Sequence, residues 1–386
     1  MSKKLFNLDP LRFFLAFLVL IFHVPTLCQN MDLPFYKGLP IFQRGTEAVL
    51  VFFTLSGFLI IKSLFVEKDL TGTISIKDFY IRRILRIYPV YYLVIILGFT
   101  IYHVVFPWLS IPYEPDYSIG EGLLLCIFFL PNVFYINYEP GGILDILWSI
   151  GIEEQFYLFI APIAFLLPKK RFLAFLGTFT VLFFLIFYFS PITYFKDYYS
   201  LFFYFSFGGL VAIANYLKLD KAILFNKAGQ VVLTLLFVAH FTTDLFKQLP
   251  EPAYHFVSMI LFGIFVANIS YNPNPLFQIK NKALNYLGNI SYGIYMYHMI
   301  VVYAVLFLFT KFDFWQGLPN AAQIIFINLT VIGGTILAAH LSFKYMEMPF
   351  LKLKEHFRHS PKKKVVKAKR VEEKKKEQVL QDSRVS

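Results

Sequence analysis

The sequence predicts an all-α, polytopic membrane protein with ten transmembrane helices and a short re-entrant segment near residues 122–130. Three observations carry this. Hydrophobic residues make up 58% of the 386 residues and charged residues 16%, more apolar surface than a soluble core uses. Apolar windows of spanning length recur at 9–27, 46–65, 87–106, 146–167, 172–190, 198–217, 228–246, 253–271, 287–310 and 322–345. With ten spans, the basic residues concentrate on one side, as the positive-inside rule requires.

That side holds Lys3 and Lys4, then Lys68, Lys77, Arg82, Arg83 and Arg86, and later Lys169, Lys170 and Arg171. Lys218, Lys221, Lys227, Lys280 and Lys282 follow on the same side. The other side holds Lys37, Arg44, Lys196, Lys247 and Lys311, and its longest loop, 107–145, has no Lys or Arg. Counting 122–130 as a span would break the alternation, so both termini are expected in the cytoplasm. The first window lacks an A-x-A cleavage site and reads as a retained helix. Residues 1–350 are expected to form the membrane domain and 351–386 a basic, disordered cytoplasmic tail. From residue 352 on, 13 Lys and Arg face 5 Asp and Glu, within a net charge of +12. Such a tail suits anionic lipid headgroups; a nucleic-acid partner is not expected. Cys28 and Cys126 have neither metal spacing nor a disulfide framework, so no metal and no bound cofactor is expected.

Span 1 opens with Asp9 and Pro10, an N-cap followed by proline at the first helical position. Arg12 and His23 lie eleven residues apart, on one face and roughly 16 Å from each other. Ala16 and Val19 fill that face between them; Phe13, Phe14, Phe17, Leu18, Ile21 and Phe22 crowd the rest and suit lipid. Ionisable residues inside a span are costly and usually face protein or a water-filled cavity. Span 2 carries Ser56 and Gly57, a notch that another backbone or a ligand can approach closely; Ser56 has no base beside it in sequence. Arg82, Arg83 and Arg86 cluster where span 3 leaves the cytoplasm. Orientation alone places basic residues there, but guanidinium groups also suit phosphates, and a cytosolic phosphorylated donor would be captured at this point.

The external loop sets Trp108, Tyr113, Tyr117, Tyr135 and Tyr138 among Asn132, Asn137 and acidic residues. It is either a surface for a hydroxyl-rich ligand or an interfacial aromatic belt. Span 4 places Ser149, Glu153 and Tyr157 on one polar stripe, with Glu154 about 100° away. Glu153 is expected to face a cavity and Glu154 to serve the structure. Span 9 aligns Ser291, Tyr295 and His298.

Together these segments resemble the membrane acyltransferase family 3, integral-membrane enzymes that modify bacterial surface glycans. The resemblance rests on LDPLRFFLAFLVLIFHV with its Arg12-x10-His23 spacing, VFFTLSGFLI, RRILRIYP, WSIGIEEQFYL, LGNISYGIYMYH and the closing MEMPF with Glu347 and Pro349, in that order. One position departs: three before Phe53 the family often has an acid, and here it is Leu50, with Glu47 one turn earlier as substitute. Many relatives carry an appended extracytoplasmic esterase-like domain, which is not expected after the short basic tail here.

The resemblance implies transfer of an acyl group, commonly acetyl, from cytosolic acyl-CoA to a hydroxyl of a cell-surface or lipid-linked saccharide, at a bacterial cytoplasmic membrane. A separate extracytoplasmic transferase is a further expected partner. His23 would act as general base or transient acyl carrier, Glu153 would orient it, and Arg12 would bind the donor or polarise its carbonyl. Arg82, Arg83 and Arg86 would bind the donor; Glu154, Ser56, Tyr157, Ser291 and His298 would support the site; Trp108, Tyr135 and Tyr138 would meet the acceptor. Direct transfer and an acyl-enzyme relay both fit. A saccharide or acyl-group transporter without covalent chemistry is the competing class.

Overall fold

The computed structural model describes residues 7–219, 226–272, 275–312, 315 and 317–357, and among these every regular element is helical. In chain order they are α1 (Leu8–Asn30), α2 (Gly45–Thr71), α3 (Ile76–Trp108), α4 (Ile119–Ile127), α5 (Pro131–Tyr138) and α6 (Gly142–Leu166). Then follow α7 (Lys169–Phe189), α8 (Phe202–Tyr216), α9 (Lys227–Thr242), α10 (Glu251–Tyr271), α11 (Lys282–Asn289), α12 (Ser291–Lys311) and α13 (Asn320–His356).

Eight of the described helices are long and apolar enough to cross a membrane. The two other predicted windows hold α8 and α9, apolar but only 15 and 16 residues long, short of the ~20 that a hydrocarbon core asks of a helix. The segment near 122–130 forms the nine-residue α4, capped by Ser118 on the Glu121 amide, and the chain then turns back into α5 at Pro131. α3 starts eleven residues before its expected window, so the arginine cluster rides on a helix rather than a loop. α13 likewise continues past its window through a π-helical stretch, Phe343–Glu347, to His356. It thus runs through the expected boundary at 350; Lys3, Lys4, Lys221 and tail residues 358–386 lie outside the described residues.

α1 is the central helix, packed against α2, α11 and α12. Its start differs from expectation. The flanking residue is Asn7, in the left-handed region (φ 59°), whose side chain reaches the Ile269 and Phe277 carbonyls and the Ile279 amide. Asp9 sits inside the first turn and pairs with Arg12 at 3.0 Å, because a carboxylate there is better used on a cation one turn away. Leu18 and Ile21, expected to face lipid, are buried in protein, whereas Phe14 is exposed.

α2 and α8 meet backbone to backbone. A Cβ on Gly57 would lie 1.9 Å from the Phe205 carbonyl oxygen, so the notch in span 2 receives a neighbouring helix. At the far end of α2, the Lys68 ammonium donates to the carbonyls of Ala164, Phe165 and Leu167 at 2.7, 2.8 and 2.5 Å. These are orphan carbonyls at the C-terminus of α6, where a cation also complements the helix dipole. Replacing Lys68 by Met strands them. The variant is expected to lose about 1–3 kcal/mol of stability, read as a lower melting temperature by circular dichroism in detergent.

Candidate active site

A cavity of about 140 Å³ opens between α1, α2, α3, α6 and α12. Arg12 comes from α1; Ser56 from α2; Arg83 and Arg86, three residues apart on one face, from α3. α6 contributes Ser149, Glu153 and Tyr157, the stripe that the four-residue spacing sets on a single face. α12 adds Ser291, Tyr292 and Tyr295.

Inside the cavity the hydroxyls form a directed chain. The Tyr157 hydroxyl donates to the Glu153 carboxylate, so its oxygen accepts from Ser56, 2.6 Å away. The Arg83 guanidinium lies 5.8 Å from the centre of the Tyr157 ring. Ser56 therefore has a carboxylate behind it through one phenol, a partner that sequence neighbours do not supply. Elsewhere in the lining, Tyr295 donates to the Ile146 carbonyl at 2.9 Å and accepts from Ser149 at 2.6 Å, tying α12 to α6.

His23 does not line this cavity. Its ring instead meets His298: His298 Nε2 is 3.2 Å from His23 Nδ1. The network assigns the hydrogens. His298 Nδ1 lies against the Tyr295 carbonyl and must donate, leaving its Nε2 as an acceptor. His23 Nδ1, 2.9 Å from the Val19 carbonyl, also donates, and its hydrogen is shared between Val19 and His298. His23 Nε2 thus presents a lone pair that no described protein group occupies. Tyr295 lines the cavity while its ring lies 5.8 Å from that of His298, so it stands between the cavity and the histidine pair.

Several expected groupings are redrawn. Glu153 bonds Tyr157 rather than orienting His23, whose partner is His298, because helix spacing sets a face but not which neighbour it meets. Arg82, about 100° round the helix from Arg83, points away to Glu67 at 3.5 Å and the Phe357 carbonyl at 2.9 Å. Glu154 is buried outside the cavity, with Oε1 unpartnered. Glu47 joins Arg44, Lys247 and Tyr254 away from the cavity, and Leu50 is buried. Trp108, Tyr135 and Tyr138 do not line it either: Trp108 is 80% exposed, and Tyr138 donates to Glu121. In the 107–145 segment, Tyr113 donates to the Pro140 carbonyl at 2.8 Å, and burial raises its phenol pKa above the ordinary value. Tyr292, which lines the cavity and donates to the Ile87 carbonyl at 3.0 Å, was missed; its place directly after Ser291 was the available signal.

Chemically, the assembly offers guanidinium groups at one end, a carboxylate–phenol–hydroxyl chain in the middle, and a neutral imidazole with a free ring nitrogen beyond the tyrosine barrier. Comparison with known proteins agrees in kind. A family model described as "Acyltransferase domain" matches residues 5–340. The chain is 27% identical over 366 residues to the peptidoglycan O-acetyltransferase OatA of Listeria monocytogenes, covering 85% of this chain and 54% of that one. It is 25% identical over 342 residues to a putative O-acetyltransferase of Staphylococcus aureus, covering 80% and 53% respectively. A putative acetyltransferase of Acidianus two-tailed virus is 27% identical over 310 residues, 76% of this chain and 84% of that one. The chain spans about half the length of the two bacterial relatives. No solved structure matches it.

Proposed function

This chain belongs to the acyltransferase domain family, and from that premise we propose that it transfers an acyl group, acetyl in the first instance, from cytosolic acyl-CoA to a saccharide hydroxyl across the membrane. The observation that carries the reading is the polar axis of the site. Arg12, Arg83 and Arg86 stand at the cavity's basic end, and the His23–His298 pair lies past its other end. Arginines suit the donor's phosphates by bidentate geometry. In this reading that end faces the cytosol and both termini lie on the same side of a bacterial cytoplasmic membrane, an orientation that the positive-inside bias supports.

In this proposal His23 Nε2 takes the proton of the acceptor hydroxyl as its oxygen attacks the thioester carbonyl. The carbon–sulfur bond breaks and the departing thiolate recovers the proton. Arg12, Arg83 and Arg86 hold the donor at the basic end of the cavity while its thioester reaches towards His23. Peptidoglycan is the acceptor named for the Listeria relative; a cell-envelope saccharide, reached directly or through a separate extracytoplasmic transferase, is the acceptor class proposed here. Mass spectrometry of surface glycans from cells with and without the protein tests this. The expected result is loss of ester-linked acyl groups from a glycan that is otherwise retained. Loss of the glycan itself would indicate transport and overturn the proposal.

A further inference from the structure

The last leg of α13, Met348–His356, packs along α3 and is pinned there by the Arg82 bond to the Phe357 carbonyl. Glu347, just before this leg, and Leu351 and Lys354 on it recur at four and three residues and share one face. Glu347 is buried and within electrostatic reach of Arg86. Lys354, two turns on and so roughly 10 Å nearer the cytosol, is half-buried while its neighbours Leu353 and Glu355 are exposed. It lies within electrostatic reach of Arg86, Arg83, Arg82 and Arg12.

The charges there are unevenly matched. Arg12 has Asp9, Arg82 has Glu67, and Arg86 faces Glu347 and Glu153. Among the described residues neither Arg83 nor Lys354 forms a salt bridge, and four arginines act on Lys354. Three of these guanidinium groups have carboxylate partners, so Arg83 and the half-buried Lys354 ammonium are left as two neighbouring cations that an anion can join. The donor of the proposed reaction is such an anion. Its thioester must enter the cavity, so its nucleotide end stays on the side of the arginine cluster, against whose helix the leg carrying Lys354 packs.

We propose that Lys354 is a donor-binding residue that grips the ribose 3′-phosphate of acyl-CoA, making the terminal leg of α13 a wall of the donor site. This rests on the reading of acyl-CoA as donor, and the test separates the two. The full chain in lipid nanodiscs is titrated with CoA and with dephospho-CoA by calorimetry. The wild type is expected to bind CoA at least roughly tenfold more tightly, one charge-assisted contact being involved. Lys354→Ala is expected to bring CoA down to the dephospho-CoA affinity and leave the latter unchanged; Lys354→Arg is expected to keep the discrimination. If the wild type binds CoA and Lys354→Ala discriminates as well as it does, the assignment of Lys354 fails and the donor reading stands. A Lys354→Ala protein that melts normally but weakens on both ligands equally also overturns it. If the wild type binds neither ligand, the donor reading itself falls. Should the alanine variant not fold, Lys354→Gln takes its place in the same titration.

Discussion

Replacing His23 by Ala is expected to lower the acyl-transfer rate by about 10²–10⁴-fold, the usual contribution of a positioned general base, without changing the melting temperature. The hydrogen positions set the role of the ring. Val19 and His298 both draw on the single N–H at Nδ1, which fixes the tautomer that leaves Nε2 basic. Alanine removes the base and leaves α1 helical. His23→Gln keeps a side chain of similar reach but no basic nitrogen, and should be about as inactive as the alanine variant. His298→Ala should be milder, since it removes one of two acceptors from the His23 N–H and leaves Val19 in place. Transfer of labelled acetyl from acetyl-CoA by the purified full chain reads all three. Full activity in His23→Ala would remove this residue from the chemistry.

The second large effect concerns Gly57. Helix propensity alone predicts that Gly57→Ala gains up to ~1 kcal/mol. Contact predicts the opposite sign: the new Cβ would sit 1.9 Å from the Phe205 carbonyl, a backbone atom that no rotamer change can move. The two helices must separate, and the overpacking cost of roughly 1–3 kcal/mol or more should prevail. Gly57→Leu is expected to yield no folded protein. Gly177 in α7 is the internal control, since a Cβ there would meet nothing within 4 Å; Gly177→Ala should melt at or above the wild type. A Gly57→Ala protein that melts higher than wild type would show that α2 and α8 are not in backbone contact.

Much of this was legible in the sequence where periodicity alone decides the outcome. The four-residue spacing of Ser149, Glu153 and Tyr157 set a stripe, and the structure places that stripe on one cavity with Arg12, Arg83 and Arg86. Arg82 pairs with Glu67 and the Phe357 carbonyl instead of lining the cavity, because neighbours in sequence diverge by about 100° on a helix. Partners across helices were not legible. Nothing local couples position 23 to 298 or 56 to 157, so the Glu153–His23 pairing was inferred from chemistry and replaced by packing. Asp9 looked like a cap because its neighbour is proline, yet Asn7 can reach residues more than 260 positions away that no local pattern shows.

The Tyr295 bonds to Ser149 and Ile146 have a consequence for the energy supply of the cell. A water-filled path from the cytosol past the arginines to a solvent-exposed imidazole would conduct protons down the gradient that the membrane maintains. With its hydroxyl held on α6, Tyr295 lines the cavity on the side of the histidines. In the proposed orientation, that ring stands in the way of such a path. On the proposed reaction, the barrier must yield only when an acyl group takes the place of water.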